Sequence, residues 1–119
     1  MTARTILLEV GSGNDWHGGD YTKAAVRAVT DAIHHSSLVF LRTLEVDPNR
    51  MYVDVTIGVQ RPEKVDATVV KETLPHGQIA VNVVHGGLDV ANSGLTDLTV
   101  IATAAITVRF DLEEHLARS

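Results

Sequence analysis

Between Met51 and Val59 the chain alternates, with Met51, Val53, Val55, Ile57 and Val59 on one side and Tyr52, Asp54 and Thr56 on the other. A period of two is that of a strand with one buried face. From Tyr21 to about His35 the period changes: Ala24, Ala25, Val26, Ala28, Val29, Ala32 and Ile33 recur at helical spacing, and Asp20 stands where an N-cap belongs. A helix face built of alanine predicts close approach to a sheet, because short side chains let backbones come near each other. His34-His35-Ser36-Ser37 is placed to end this helix, where imidazoles meet the negative end of its dipole.

Thr5 to Val10 is a short apolar run closed by Gly11, which predicts a buried first strand. The stretch from Gly11 to Asp20 then carries Gly11, Gly13, Gly18 and Gly19 with Asn14, Asp15 and Asp20. That composition predicts a loop of tight turns with positive φ. Pro62 and Glu63 open a second helix carrying Val65, Val69 and Val70, and Pro75-His76-Gly77 closes it. Ile79 to Val84 and Leu98 to Phe110 supply two further strands, separated by a second glycine-rich loop from His85 to Gly94. The predicted order is β-α-β-α-β-β. It describes one α+β domain over residues 1–119, with a four-stranded sheet and two helices on one face. In the last strand the second face reads Thr99, Ile101, Thr103, Ala105 and Thr107, small and uncharged, so another subunit is expected to cover part of it.

The bulk composition narrows the partners. A chain of 119 residues with 45% apolar and 21% charged side chains fits a single globular domain. Its formal charge of −5 opposes phosphate attraction, and its arginines are scattered singly, so nucleic acid is not an expected partner. No apolar run approaches the length of a membrane span, and the N-terminus leads straight into a short strand. With no cysteine anywhere, disulfides and thiolate metal sites are excluded. The expectation is a cytoplasmic protein without a membrane partner.

The strand-loop-helix from Val10 to Tyr21 concentrates the candidate chemistry. It is not a P-loop, since the Gly-Lys-Ser/Thr ending is absent, and its spacing does not match a dinucleotide fingerprint. Asp15 and Asp20 would repel an anion there, so a neutral or cationic small molecule is the expected ligand. Glu9, Asp15, His17 and Asp20 are four groups able to bind metal or move protons, and as ligands they suit Zn, Mn or Ni. Their structural alternatives are an N-cap at Asp20, an Asx-turn at Asp15 and an ion pair at Glu9. Trp16 is either a stacking platform for a flat ring or a plug in the core, and His17 beside it is either catalytic or bonded to backbone. His85 opens the second glycine loop directly after a strand, as an active-site imidazole can. Lys23 and Arg27 share one helix face and suit an acidic group, Ser93 is a candidate nucleophile or contact, and backbone N–H groups near Gly18 and Gly19 suit an oxyanion. No cofactor is named by any of these patterns.

Gly11-Ser12-Gly13-Asn14-Asp15-Trp16-His17-Gly18, a Gly-x-Gly-x-Asp-x-His-Gly pattern, resembles the signature of a small bacterial family of conserved hypothetical proteins that also occurs as a domain in plants. The resemblance continues through the run from Asp20 to Ala28 and Pro75-His76-Gly77, covering nearly the whole chain, and implies no established reaction. Asn14 to Lys23 and His85-Gly86-Gly87 are also distantly similar to motifs of the ring-opening amidohydrolases, cyanuric acid hydrolase and barbiturase. Those enzymes are built from three similar α+β units around a pseudo-threefold axis, with Ser-Lys pairs between units. Here Val10 or Glu9 stands for the lysine and His85 for the serine, so the Ser-Lys mechanism does not carry over. What the likeness implies is a homo-oligomer, a trimer or a multiple, with sites at subunit boundaries and small, flat, neutral, amide-bearing ligands. The expected function is a hydrolase of a small cyclic amide or heterocycle, with Asp15, His17 and His85 catalytic; the alternatives are a non-catalytic binding or assembly module and a metal-binding protein.

Overall fold

The computed structural model describes residues 4–34, 47–74, 77–91 and 97–117. Within them the elements run β1 Arg4–Asp15, α1 Tyr21–His34, β2 Tyr52–Val59, α2 Ala67–Glu72, β3 Gln78–His85, β4 Leu88–Ala91, β5 Leu98–Phe110 and α3 Leu112–Ala117. Short 3-10 turns lie at Pro48–Arg50 and Pro62–Lys64. The α+β class holds, but the sheet has five strands where four were expected, in the order β1-β5-β2-β3 with β4 also paired to β5.

The added strand is explained by the length of β5. One edge of β5 pairs with β1 from Val100 to Phe110. The other edge is shared: β2 takes Thr103 to Arg109, and β4 takes Leu98 to Ile101. To reach that place the chain leaves β3, which runs parallel to β2, and steps across the end of β2. Gly86 donates its N–H to Val59 O at 2.9 Å, and Gln60 Nε2 donates to Gly86 O and Gly87 O at 3.0 Å. Gly87 adopts φ of 60°, and a Cβ there would stand 2.2 Å from Ile101 O. The glycines that suggested a long loop therefore make a tight step, and four residues after it add to the sheet.

A second correction concerns the glycines of the first loop. Gly11 and Gly13 lie within β1, opposite Ala104 and Ala102 of β5. A Cβ on Gly11 would fall 2.4 Å from Ala28 O, and one on Gly13 would fall 2.2 Å from Ala28 N. They are glycine because the backbone of α1 lies directly on them, with Ala24, Ala25, Ala28 and Ala32 fully buried at the contact. Of the four glycines in this stretch, Gly19 takes a positive φ. The connection to α1 shrinks to residues 16–20.

The inner sheet face carries Val53, Val55, Ile57 and Val59 of β2 and Val100, Ala102, Ala104, Ile106, Val108 and Phe110 of β5, all buried. Val29 of α1 and Val70 of α2 close the same core, which places both helices on one face. Helix α2 starts later than Pro62: Pro62–Lys64 is a separate turn, Val65 is extended, and Asp66 caps α2 by accepting N–H bonds from Thr68 and Val69. The third helix, α3, follows β5 and is capped by Asp111 through Glu114 N–H at 2.9 Å. No described helix is long and apolar enough to cross a membrane.

Candidate functional site

The inner row that ends the sheet places two carboxylates beside one valine. Asp15 of β1 and Asp89 of β4 are both register partners of Val100 on β5, one on each side. The first turn of α1 is held between them. Asp15, 6% exposed, accepts the N–H of Asp20 through Oδ2 at 2.8 Å. Asp89 accepts the hydroxyl of Tyr21, which is 3% exposed.

Each group on the Asp15 side has a definable task. Asp15 Oδ1 lies 3.7 Å from Arg27 Nη1, which also donates to Asn14 O at 2.6 Å. A Cβ on Gly18 would meet Asp15 Oδ2 at 2.9 Å, so the loop is wrapped closely round this carboxylate. Asp20 Oδ1 accepts the N–H of Lys23 at 3.0 Å, which is the helix cap read from the sequence. Both carboxylates thus build the loop.

Trp16 stands outside this framework. Its carbonyl accepts a bond from Thr99 Oγ1 at 3.2 Å, while the side chain is 62% exposed and plugs no core. His17 follows, with Nδ1 3.4 Å from Asp97 Oδ2 and its side chain largely in solvent. Asp15, Trp16, His17, Gly18, Asp20, Lys23 and Arg27 line an open cleft of about 430 Å³.

Seven of the expected residues therefore come together, and others do not. Gly19 shapes the loop against Leu98 and does not line the cleft. His85 is exposed at the end of β3 opposite Val59, with β5 and β2 lying between β3 and β1 in the sheet. Ser93 lies outside the described residues. Glu9 is six positions before Asp15 on the same strand, which at strand rise is about 20 Å away. Among the described residues no group of three or more His, Asp or Glu is gathered closely enough to hold a metal ion.

Two participants had no signal in the sequence. Asp97 is 80 residues from His17 and meets it only because β1 and β5 pair. Tyr21 reads as one more apolar helix residue, yet it joins Asp89 to α1. Burial raises the Tyr21 hydroxyl above its ordinary range, and the bond to Asp89 and that carboxylate's charge raise it further, while Arg61 acts in the opposite direction. Lys64 Nζ lies 6.0 Å from the centre of the Tyr21 ring. Asp89 Oδ1 is buried without a hydrogen-bond partner among the described residues.

The profile of a family described as conserved hypothetical protein (Lin0512_fam) matches residues 5–108, which include every described residue of the cleft. The chain belongs to the Lin0512 family. A solved structure of similar fold is the crystal structure of an FtsZ-like protein of unknown function from Nostoc punctiforme. This Lin0512 chain is 34% identical to it at a TM-score of 0.81, over 93% of this chain and 98% of the other. No curated protein matches the chain.

Proposed function

We propose that this Lin0512 chain is the repeating subunit of a homo-oligomer that takes a small flat ring into the β1–α1 cleft and hydrolyses a cyclic amide there. The observation that carries this reading is an exposed indole, Trp16, next to an imidazole whose Nδ1 faces a carboxylate, His17 with Asp97. An Nδ1–H held by Asp97 leaves Nε2 free to take a proton from water, the arrangement a general base requires. The water oxygen adds to the ring carbonyl carbon, the ring C–N bond breaks, and His17 returns the proton to the departing nitrogen.

Asp15 has no proton-transfer part in this scheme, because both its oxygens face groups that build the loop. His85 joins only if a neighbouring copy brings it to the cleft, which fits the expectation of sites at subunit boundaries. The relative described as FtsZ-like is itself of unknown function and supplies no competing reaction.

A binding module without catalysis is the second reading. It is favoured by the internal use of Asp15 and Asp20, which leaves one imidazole as the proton carrier of the described cleft. The test is loss of ring ultraviolet absorbance across a panel of cyclic ureides and lactams incubated with untagged protein. Turnover that falls by about a hundredfold or more in His17→Ala, with an unchanged melting temperature, supports the hydrolase. Binding without turnover supports the module.

A further inference from the structure

The ligand class can be narrowed from the charges that remain unengaged in the cleft, and this step rests on the ring-binding reading above. In the bare sequence Asp15 and Asp20 argue against an anion. In the fold the Asp15 part of that objection loses its force, while Asp20 stays exposed. Asp15 is buried with one oxygen on the Asp20 N–H and the other towards Arg27, and Asp20 Oδ1 is on the Lys23 N–H. The Arg27 guanidinium is in turn directed at Asp15 and at Asn14 O. His17 faces Asp97. That leaves the Lys23 ammonium, exposed on the cleft and with no ion-pair partner among the described residues.

We propose that the natural ligand of this cleft is a planar ring bearing a carboxylate, with the ring on Trp16 and the carboxylate on Lys23. The indole offers a flat apolar face, and stacking plus one exposed cation suits a flat monoanion. A phosphate is a poorer fit. Of the amides that usually anchor one at a helix start, Asp20 N–H is bound by Asp15 and Lys23 N–H by the Asp20 side chain. A doubly charged group would also have, among the described residues, one unpaired cation of the cleft to answer it beside the exposed Asp20 carboxylate. The cleft volume of about 430 Å³ suits a ligand of one or two rings.

Trp16 is the chain's single tryptophan, so its emission reports on this cleft alone. The experiment titrates untagged full-length protein with matched pairs, benzoate against benzamide and nicotinate against nicotinamide, following that emission. The expected result is a saturable change with the carboxylates at least about tenfold tighter than with the amides. The preference should weaken with added salt, disappear in Lys23→Gln and persist in Lys23→Arg. Equal or tighter binding of the amides overturns the carboxylate assignment and leaves the ring-binding reading standing. Carboxylate preference retained in Lys23→Gln overturns the assignment to Lys23. No saturable change with any of the four overturns the inference and counts against the ring-binding reading as well.

Discussion

A buried phenol beside a carboxylate has a definite dependence on pH. Tyr21 is 3% exposed and donates to Asp89, whose second oxygen is already buried without a partner among the described residues. Burial first, and then Asp89, hold the Tyr21 hydroxyl above the value of 10.0 that a free tyrosine shows. A group whose folded value is raised adds stability that is fully present below the unfolded value and is lost as pH rises through the folded one. Tyr21→Phe removes a donor to a charged acceptor and should cost about 1.5–3 kcal/mol at neutral pH. Urea unfolding of both proteins should show that difference constant through neutral pH and shrinking at alkaline pH, above the ordinary tyrosine range. A difference that stays constant into that range would mean that Tyr21 contributes packing alone. Asp15 and Asp20 make the complementary point: acidic residues in a glycine loop drew attention as chemistry, and their bonds to Asp20 N–H and Lys23 N–H show them at work on the backbone.

At the scale of elements, β1 and α1 are shaped for each other. Alanines at 24, 25, 28 and 32 remove side-chain bulk from the helix, and glycines at 11 and 13 remove it from the strand. Gly13→Ala places a methyl 2.2 Å from Ala28 N, a backbone atom that cannot rotate away, so helix and sheet must separate. The expected cost is about 3 kcal/mol, at the upper end for overpacking. Ser12→Ala, one residue away on the exposed face, should change stability by less than about 0.5 kcal/mol. Similar losses for the two variants in thermal unfolding would contradict this account. The same pair of elements shows what local sequence can convey. The helix α1 and the strands β2, β3 and β5 were legible because each has a period long enough to separate helix from strand, and the alanine face correctly announced a close sheet contact. The end of β1 was not, because glycine signals both a turn and a close approach, and only the partner element decides between them. β4 was hidden for a related reason: four residues cannot establish a period, and their pairing is supplied by β5. In α2 the proline at 62 masked the true cap, Asp66. Within the cleft, neighbours in sequence such as Asp15, Trp16, His17 and Lys23 could be foreseen together. The meeting of His17 with Asp97 required knowing the register of β1 on β5.

For the whole molecule the outer sheet face sets the question. Helices α1 and α2 pack on the opposite face, and this one exposes Leu8, Tyr52, Val84, Leu88 and Val90 between 38% and 59%. Its charges include Asp54 and Arg109, which pair at 2.8 Å and cancel. Depletion of charge with exposed aliphatic and aromatic side chains is the composition of an interface core. Four strands spaced about 4.8 Å apart and about 26 Å long present roughly 500 Å² in projection, a substantial part of the about 800 Å² per partner that stable interfaces bury. Assembly through this face is the expectation, and it accounts for an apolar surface that a lone domain rarely leaves bare. Leu88 is a good place to test it: at 59% exposure its side chain adds little to the fold, yet it stands on the sheet row of Ile101. Light scattering after size exclusion should find the wild type as a trimer or a multiple and Leu88→Arg as a smaller species with the same circular dichroism. A monomeric wild type at high concentration would remove the assembly, and with it any role for a second copy's His85 at the cleft. If the variant disperses and still binds ring ligands through Trp16, the cleft is complete within one chain. If it disperses and loses them, the boundary between copies is part of the site.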